Sequence, residues 1–171
     1  MSKIIVAESA GFCFRVYRAI NILYKLIDEK KPACTLGPII HNMQMVNELR
    51  KKGVRTIDKI SEAKENETIV IRSHGVPQSI VDEINERHLD YIDAACPFVS
   101  KIHKIVSETD DDSIVIIAGD KNHPEVQGIM GHCKSKCYTF KNQEELQELF
   151  SIIPQKNYKT IKIVAQTTFE L

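Results

Sequence analysis

Tryptophan is absent from this chain, and aromatic residues make up only 6% of it. That leaves little material for the aromatic platforms on which single-stranded nucleic acids stack. An excess of one charge sign is also missing. Lys plus Arg and Asp plus Glu number 23 each, for a formal net charge of zero, so there is no bulk attraction to nucleic acid or to an anionic membrane. No segment approaches the roughly 18 consecutive apolar residues that a bilayer span needs. The apolar run Ile4 to Ala7, behind Met1-Ser2-Lys3, is too short for a signal peptide. A cytoplasmic protein with neither nucleic-acid nor membrane partners is therefore expected. The sequence also lacks a Gly-rich dinucleotide fingerprint, a P-loop, a His-x-x-Glu-His cluster, low-complexity stretches and any clear repeat.

What is present suits a folded α/β protein. The 171 residues are enough for one domain or two small ones, and a hydrophobic content of 43% can bury a core. Five cysteines, an odd number, read as thiols or metal ligands before disulfides. Short apolar runs at Lys3–Ala7, Ala33–Leu36, Val54–Ile57, Thr68–Ile71, Ser113–Ala118, Cys137–Phe140 and Lys162–Ala165 read as strands. Between them lie helical spacings of apolar residues: Val16, Ile20, Leu23, Tyr24 and Ile27; Val46 and Leu49; Ile80, Val81 and Ile84; Phe98, Val99, Ile102, Ile105 and Val106; Val126, Ile129 and Met130; Leu146, Leu149 and Phe150. Ser61 opens a short polar helical turn, and Asn142 with Glu145 resembles a capping box. Alternating strands and helices argue for parallel sheets with right-handed crossovers. Two similar α/β units are expected, residues 1–110 and 111–171, divided at the acidic loop Asp110-Asp111-Asp112.

The chemistry collects where strands hand over to helices. In Asp93-Ala94-Ala95-Cys96-Pro97, Pro97 suits the first helical position and puts Cys96 at or next to the N-cap. A thiol there meets unpaired N–H groups and the positive end of the helix dipole, which favour thiolate. Cys13 repeats this arrangement. His41, His74, His123, Glu125 and Thr167 also follow predicted strands, at the sheet edge where open α/β sheets bind ligands. Helix N-termini gathered there offer N–H groups to a phosphate, and histidines add charge-assisted hydrogen bonds. Taken singly, each of these residues reads equally well as a cap or a core group. His88, at a helix end, and His103, inside a helix, read as structural or exposed. Cys34 reads as core. Cys133 and Cys137 read as a turn and a strand start, because their spacing is not that of a zinc knuckle. Zinc hydrolysis has no supporting cluster, and iron–sulfur ligation is open but not specified by two distant cysteines.

Taken together, the motifs resemble those of the 4-hydroxy-3-methylbut-2-enyl diphosphate reductases. The matching runs are Gly11-Phe12-Cys13 with Arg18-Ala19-Ile20, Leu36-Gly37-Pro38-Ile39-Ile40-His41-Asn42, and Ser73-His74-Gly75-Val76. They continue with Asp93-Ala94, Cys96-Pro97, Val99, Lys101 and His103, then His123-Pro124-Glu125-Val126 with Gly128, and Gln166-Thr167-Thr168. The resemblance implies the last step of the non-mevalonate isoprenoid pathway. Two electrons and protons remove an allylic hydroxyl to give isopentenyl and dimethylallyl diphosphate. It further implies a 4Fe-4S cluster held by three cysteines, with ferredoxin or flavodoxin as electron donor. Cys13 and Cys96 match two cluster ligands. His41, His74 and His123 match diphosphate-binding histidines, Glu125 a proton-delivering carboxylate, and Thr167 a threonine near the substrate hydroxyl.

Three departures stand out. Arg15 occupies a place where the family usually has glycine, and Ala95 one where it usually has threonine. The family has three α/β units, and its third cysteine and a Ser-x-Asn substrate motif lie beyond the Gln-Thr-Thr run. The expectation is thus the first two units of a three-unit reductase, a fragment with a poorly held cluster. The alternatives are a diphosphate-binding module without a cluster, or an interaction protein docking through an uncovered sheet edge.

Overall fold

The computed structural model describes residues 4–5, 10–154 and 157–170. The strand expected over Lys3–Ala7 lies mostly outside them. Within it, Ile4 and Ile5 are in no strand and are 88% and 78% exposed. The first described helix is α1 (Phe14–Asp28), which buries Ala19, Ile20, Leu23 and Leu26.

Four strands form the first sheet: β1 (Ala33–Leu36), β2 (Arg55–Ile57), β3 (Thr68–Ile71) and β4 (Tyr91–Asp93). Their order is β2-β1-β3-β4 and all neighbours are parallel. Helices α2 (Met43–Lys51) and α3 (Gln78–Glu86) make crossovers, and a 3-10 turn sits at Ile60–Glu62. Thr35 and the apolar residues of β1 are buried, as are Ile69, Val70 and Ile71 of β3, because each strand is covered on both faces. One core packs α1 and α2 on one side of the sheet. A second packs α3 on the other, with Cys34, Ile57, Ile60, Ile69 and Ile84 fully buried.

Helix α4 (Pro97–Ser107) and the acidic loop lead to the second sheet, β5 (Ser113–Ala118), β6 (Lys136–Phe140) and β7 (Thr160–Ala165), ordered β6-β5-β7 and again parallel. Its helices are α5 (Pro124–His132) and α6 (Gln143–Ile152). The Asn142 side chain accepts the Glu145 N–H, and the Glu145 carboxylate accepts from Lys141 rather than from the cap residue itself. The architecture is α/β, two parallel sheets flanked by helices, as the alternation of elements leads one to expect.

Burial corrects the expectation in three places. Phe98, assigned to the inner face of α4, is 54% exposed, and Phe150, assigned to that of α6, is 60% exposed. Strand β7, read as buried, leaves Ile161 and Ile163 at 56% and 70% exposed, because no helix covers that face among the described residues.

Register explains why one edge of each sheet matters. Leu36, Ile71 and Asp93 are in register at the ends of their strands, as are Ala118 and Ala165. The following loops therefore leave from one line. In both sheets the chain winds to one side of its first strand and then to the other, so a crevice opens between β1 and β3 and another between β5 and β7.

The two crevices are joined through α4 and α5. His103 of α4 is buried and stacks on His132 of α5, ring centroids 4.0 Å apart and 23° from parallel. His132 Nε2 lies 3.0 Å from the Val76 carbonyl. Glycines make room for the stack. A Cβ on Gly75 would lie 2.6 Å from His103 Cε1, and one on Gly128 would lie 3.2 Å from His103 Nε2. Gly75 also has φ +73, so Gly75→Ala combines backbone strain with a clash and should cost about 1–3 kcal/mol, read as a lowered denaturant midpoint.

Burial, with a smaller contribution from His132, holds His103 at about 4 against an ordinary 6.5. His74 is also held at about 4, by burial first and then by the charges of His41, Arg72 and His123. The unfolded chain takes up protons at these positions below pH 6.5 while the folded chain resists until about pH 4. Their contribution to stability is thus complete above pH 6.5 and is lost as pH falls toward 4. Urea unfolding across that range should show a falling midpoint, with a shallower fall in His103→Gln. A flat profile contradicts the neutral, buried assignment.

Candidate functional site

The loops leaving the two sheets meet at a cleft of about 330 Å³ lined by Cys13, Arg15, Val16, His41, Ser73, His74, Cys96, Val99, His123, Glu125, Thr167 and Thr168. Every residue singled out from the sequence as a candidate ligand or catalyst is in this set. Four were not foreseen in the site: Val16, Ser73, Val99 and Thr168. Ser73 was visible as the neighbour of His74, but nothing in the pattern marked it as lining.

Each polar residue is positioned by a local device. Asn42 caps α2 by accepting the Met45 N–H at 3.0 Å, which fixes the turn carrying His41. The Ser73 hydroxyl donates to the Ile39 carbonyl at 3.2 Å, and the Cys96 N–H donates to the Ser73 carbonyl at 2.9 Å. The β1, β3 and β4 loops are thereby tied together. Arg18 of α1 donates to the carbonyls of Ala95 and Asp93 at 3.1 and 3.2 Å, and the Asp93 carboxylate accepts the Ala95 N–H at 2.8 Å. Arg18 thus holds the strap that carries Cys96. The sequence marked Arg18 only as part of a motif and gave it no role.

The three histidines form one cluster. Ring centroids are 4.7 Å apart for His41 and His74, 5.6 Å for His74 and His123, and 6.4 Å for His41 and His123. One ring nitrogen from each lies within 4.8 Å of the others, close enough to share one small ligand. His74 Nδ1 is buried with no hydrogen-bond partner among the described residues. His123 caps α5, and its Nδ1 accepts the Glu125 N–H at 3.2 Å. That acceptor role puts the proton of a neutral ring on Nε2 and makes that nitrogen a donor.

Glu125 is only 2% exposed. One carboxylate oxygen accepts the Thr167 N–H at 2.6 Å and the other accepts the Thr167 hydroxyl at 2.8 Å. Gln166 steadies this corner by accepting the Asp120 N–H at 3.2 Å and donating to the Thr168 hydroxyl at 2.9 Å. Carboxylate and hydroxyl are therefore one hydrogen-bonded pair, able to pass a proton toward a group placed in the cleft.

Cys13 and Cys96 are the N-caps of α1 and α4. Cys13 is exposed and Cys96 buried. The Val16 N–H, aided by Arg15, lowers the Cys13 thiol below its ordinary value against the opposing effect of burial, which bears out the helix-terminus argument for that residue. Arg15 acts on both sulfurs: its Nη1 is 3.9 Å from Cys96 Sγ, and its charge favours the Cys13 thiolate. Its guanidinium also lies 5.7 Å from the Phe98 ring centroid, and Phe98 meets Phe14 edge-on at 6.5 Å. Two soft sulfur donors at helix N-termini, open on one cleft, fit two ligand positions of an iron–sulfur cluster. No third cysteine joins them among the described residues. Cys34 is buried in β1, and Cys133 and Cys137 lie where β6 begins, at the far edge of the second sheet.

Comparisons with known proteins identify the family. A family model described as LytB protein matches residues 4–171. The chain belongs to the LytB family. It is 37% identical over 169 residues to the 4-hydroxy-3-methylbut-2-enyl diphosphate reductase of Alkaliphilus oremlandii, covering 97% of this chain and 58% of that protein. It is 42% identical over 171 residues to the enzyme of the same name from Thermoanaerobacter sp., covering 97% and 57%. A solved structure of (E)-4-hydroxy-3-methyl-but-2-enyl diphosphate reductase, described as the terminal enzyme of the non-mevalonate pathway, superposes with a TM-score of 0.80 at 39% identity. That match covers 99% of this chain and 60% of the solved one. The reductase from Plasmodium falciparum gives a TM-score of 0.80 at 26% identity, covering 94% and 50%. The chain therefore spans somewhat over half the length of the LytB relatives it matches. No helix among the described residues is long and apolar enough to cross a membrane.

One thiol pair lies apart from the cleft and was not legible in the sequence. The Cys133 thiol donates to the Ile129 carbonyl at 3.4 Å, and the proximity of the two thiols brings Cys137 down to about 7 and pushes Cys133 up. Burial, by contrast, pushes Cys34 up to about 11. Iodoacetamide labelling of the folded chain should mark Cys137 well before Cys34, with a rate that climbs through pH 7 and then levels. Cys133→Ser should move that profile, read by peptide mass spectrometry. Equal labelling of Cys34 and Cys137 contradicts the assignment.

Proposed function

We propose that this chain carries the diphosphate-binding and proton-delivering part of a 4-hydroxy-3-methylbut-2-enyl diphosphate reductase. The observation that carries the reading is the convergence of three imidazoles, the Glu125–Thr167 pair and two helix-capping cysteines on one cleft. In this reading residues 1–110 and 111–171 are two α/β units of a larger LytB architecture, each contributing its strand ends to the cleft.

The histidines hold the diphosphate. His123, with Nδ1 already accepting a backbone N–H, offers Nε2–H to a phosphate oxygen, and His74 brings a nitrogen that has no partner among the described residues. The Thr167 hydroxyl and the Glu125 carboxylate orient the substrate hydroxyl. Protonated Glu125 supplies the proton with which that oxygen departs as water, and two electrons and a second proton complete the allylic product. Cys13 and Cys96 hold two corners of a 4Fe-4S cluster, which when bound supplies electrons and a Lewis-acidic iron. A ferredoxin or flavodoxin is the electron donor, and the setting is the cytoplasm.

Arg15 favours a second reading: a diphosphate-binding module without a cluster. Its guanidinium sits against both sulfurs and competes for the lone pairs that iron would use. Anaerobic reconstitution with iron and sulfide separates the two readings. A brown chain holding iron that is lost in Cys13→Ala and Cys96→Ala supports the reductase. A colourless chain that still binds inorganic pyrophosphate supports the module, and Arg15→Gly should then raise iron uptake. Under either reading His123→Ala should weaken pyrophosphate binding about tenfold in calorimetry. Unchanged affinity in that variant removes the histidine cluster as the anion site.

A further inference from the structure

The histidine cleft is not the largest in the molecule. A cleft of about 490 Å³ opens between the end of β1, the 3-10 turn and α3. Arg72, the first residue after β3, lines this cleft and not the histidine one. Its guanidinium makes no hydrogen bond or ion pair with any described residue, and its Nε is buried without a partner. Arg72 as a whole is half-buried, whereas the fully buried carboxylates are satisfied. Glu67 meets Arg55 at 2.8 Å, and Glu125 meets Thr167. Removing a cation from water without a counter-charge is costly, and burial accordingly lowers the pKa of Arg72.

The side chain passes close to the turn that follows β1. Gly37 has φ +71, and a Cβ there would come within 2.8 Å of Arg72 Nη1. The rest of the lining defines what fits. Lys59 adds a second cation. Glu83, on α3, is engaged by Arg87 at 3.4 Å, and Asp58 is exposed at the rim with no ion pair to Arg72. Ile60, Val76 and Ile80 supply an apolar wall.

We propose that this cleft is a second ligand site, taking a small phosphate monoester with a short aliphatic body. The phosphate pairs with Arg72 in the two-pronged geometry a guanidinium favours, with Lys59 balancing its second charge. The aliphatic part lies on Ile60, Val76 and Ile80.

The test is a titration of the whole chain with 3-methylbutyl phosphate, followed by NMR of the isoleucine methyls and the histidine rings. Saturable shifts at Ile60 and Ile80 are expected, separate in midpoint from any response at His41 or His123, so this site and the histidine site stand or fall independently. Arg72→Gln should weaken the Ile60 and Ile80 response about tenfold or more, and the exposed Lys59→Ala about threefold without disturbing the fold. Inorganic phosphate should bind at least several-fold more weakly, since it leaves the apolar wall uncovered. The proposal is overturned by the absence of saturable shifts at these methyls, by affinity unchanged in both variants, or by inorganic phosphate binding as tightly as the ester.

Discussion

Everything at the candidate site depends on how α4 is held against α5. His103 is the centre of that contact. It is clamped between two glycines, stacked on His132, and fixed in turn through the Val76 carbonyl. The contact joins the loop carrying His74 and the helix headed by Cys96 to the helix headed by His123 and Glu125. Neither sheet alone can make the cleft: the first supplies His41, His74 and Cys96, and the second supplies His123, Glu125 and Thr167. A buried neutral imidazole suits this junction because it packs as a flat ring where two backbones come close, and it leaves no room for a Cβ on either side.

The chemistry of the cleft follows from repeated use of one local design. A parallel strand ends, the chain turns, and a helix begins with a functional residue as its cap. Cys96 and His123 are such N-caps and His41 precedes the capping Asn42, while Cys13 caps α1 with no strand described ahead of it. Helix N-termini present unpaired N–H groups and positive potential, which suits both thiolate and phosphate. The same geometry that depresses Cys13 therefore also serves an anion at the histidines. Arg15 adds a further positive group at the sulfurs.

Much of the fold was legible because parallel β/α units are punctuated sharply. Thr68–Ile71 and Ser113–Ala118 are unbroken β-branched or apolar runs, and the structure places them as inner strands of their sheets. Pro97 and Pro124 marked the starts of α4 and α5. Legibility failed where burial depends on what lies opposite. Phe98 and Phe150 have the spacing of buried residues and are exposed, and β7 has the composition of an inner strand and lies at an edge. The site residues other than Cys13 were legible as a class, since each follows a strand. The pairing of Glu125 with Thr167, the strap held by Arg18 and the contact between Cys133 and Cys137 join residues whose approach no local pattern encodes.

By itself the sequence determined the elements, their order, the parallel sheets and the identity of the capping residues. Those follow from hydrophobic period, proline placement and the intrinsic preferences of helix termini, all of which act within a few residues. Only the tertiary structure decided that two strand edges face one cleft, that Glu125 is buried against Thr167, that Arg15 lies beside both thiols and that Arg72 forms no ion pair among the described residues. These depend on the winding order of each sheet and on the α4–α5 contact, which bring together groups tens of residues apart through packing that one sequence does not display.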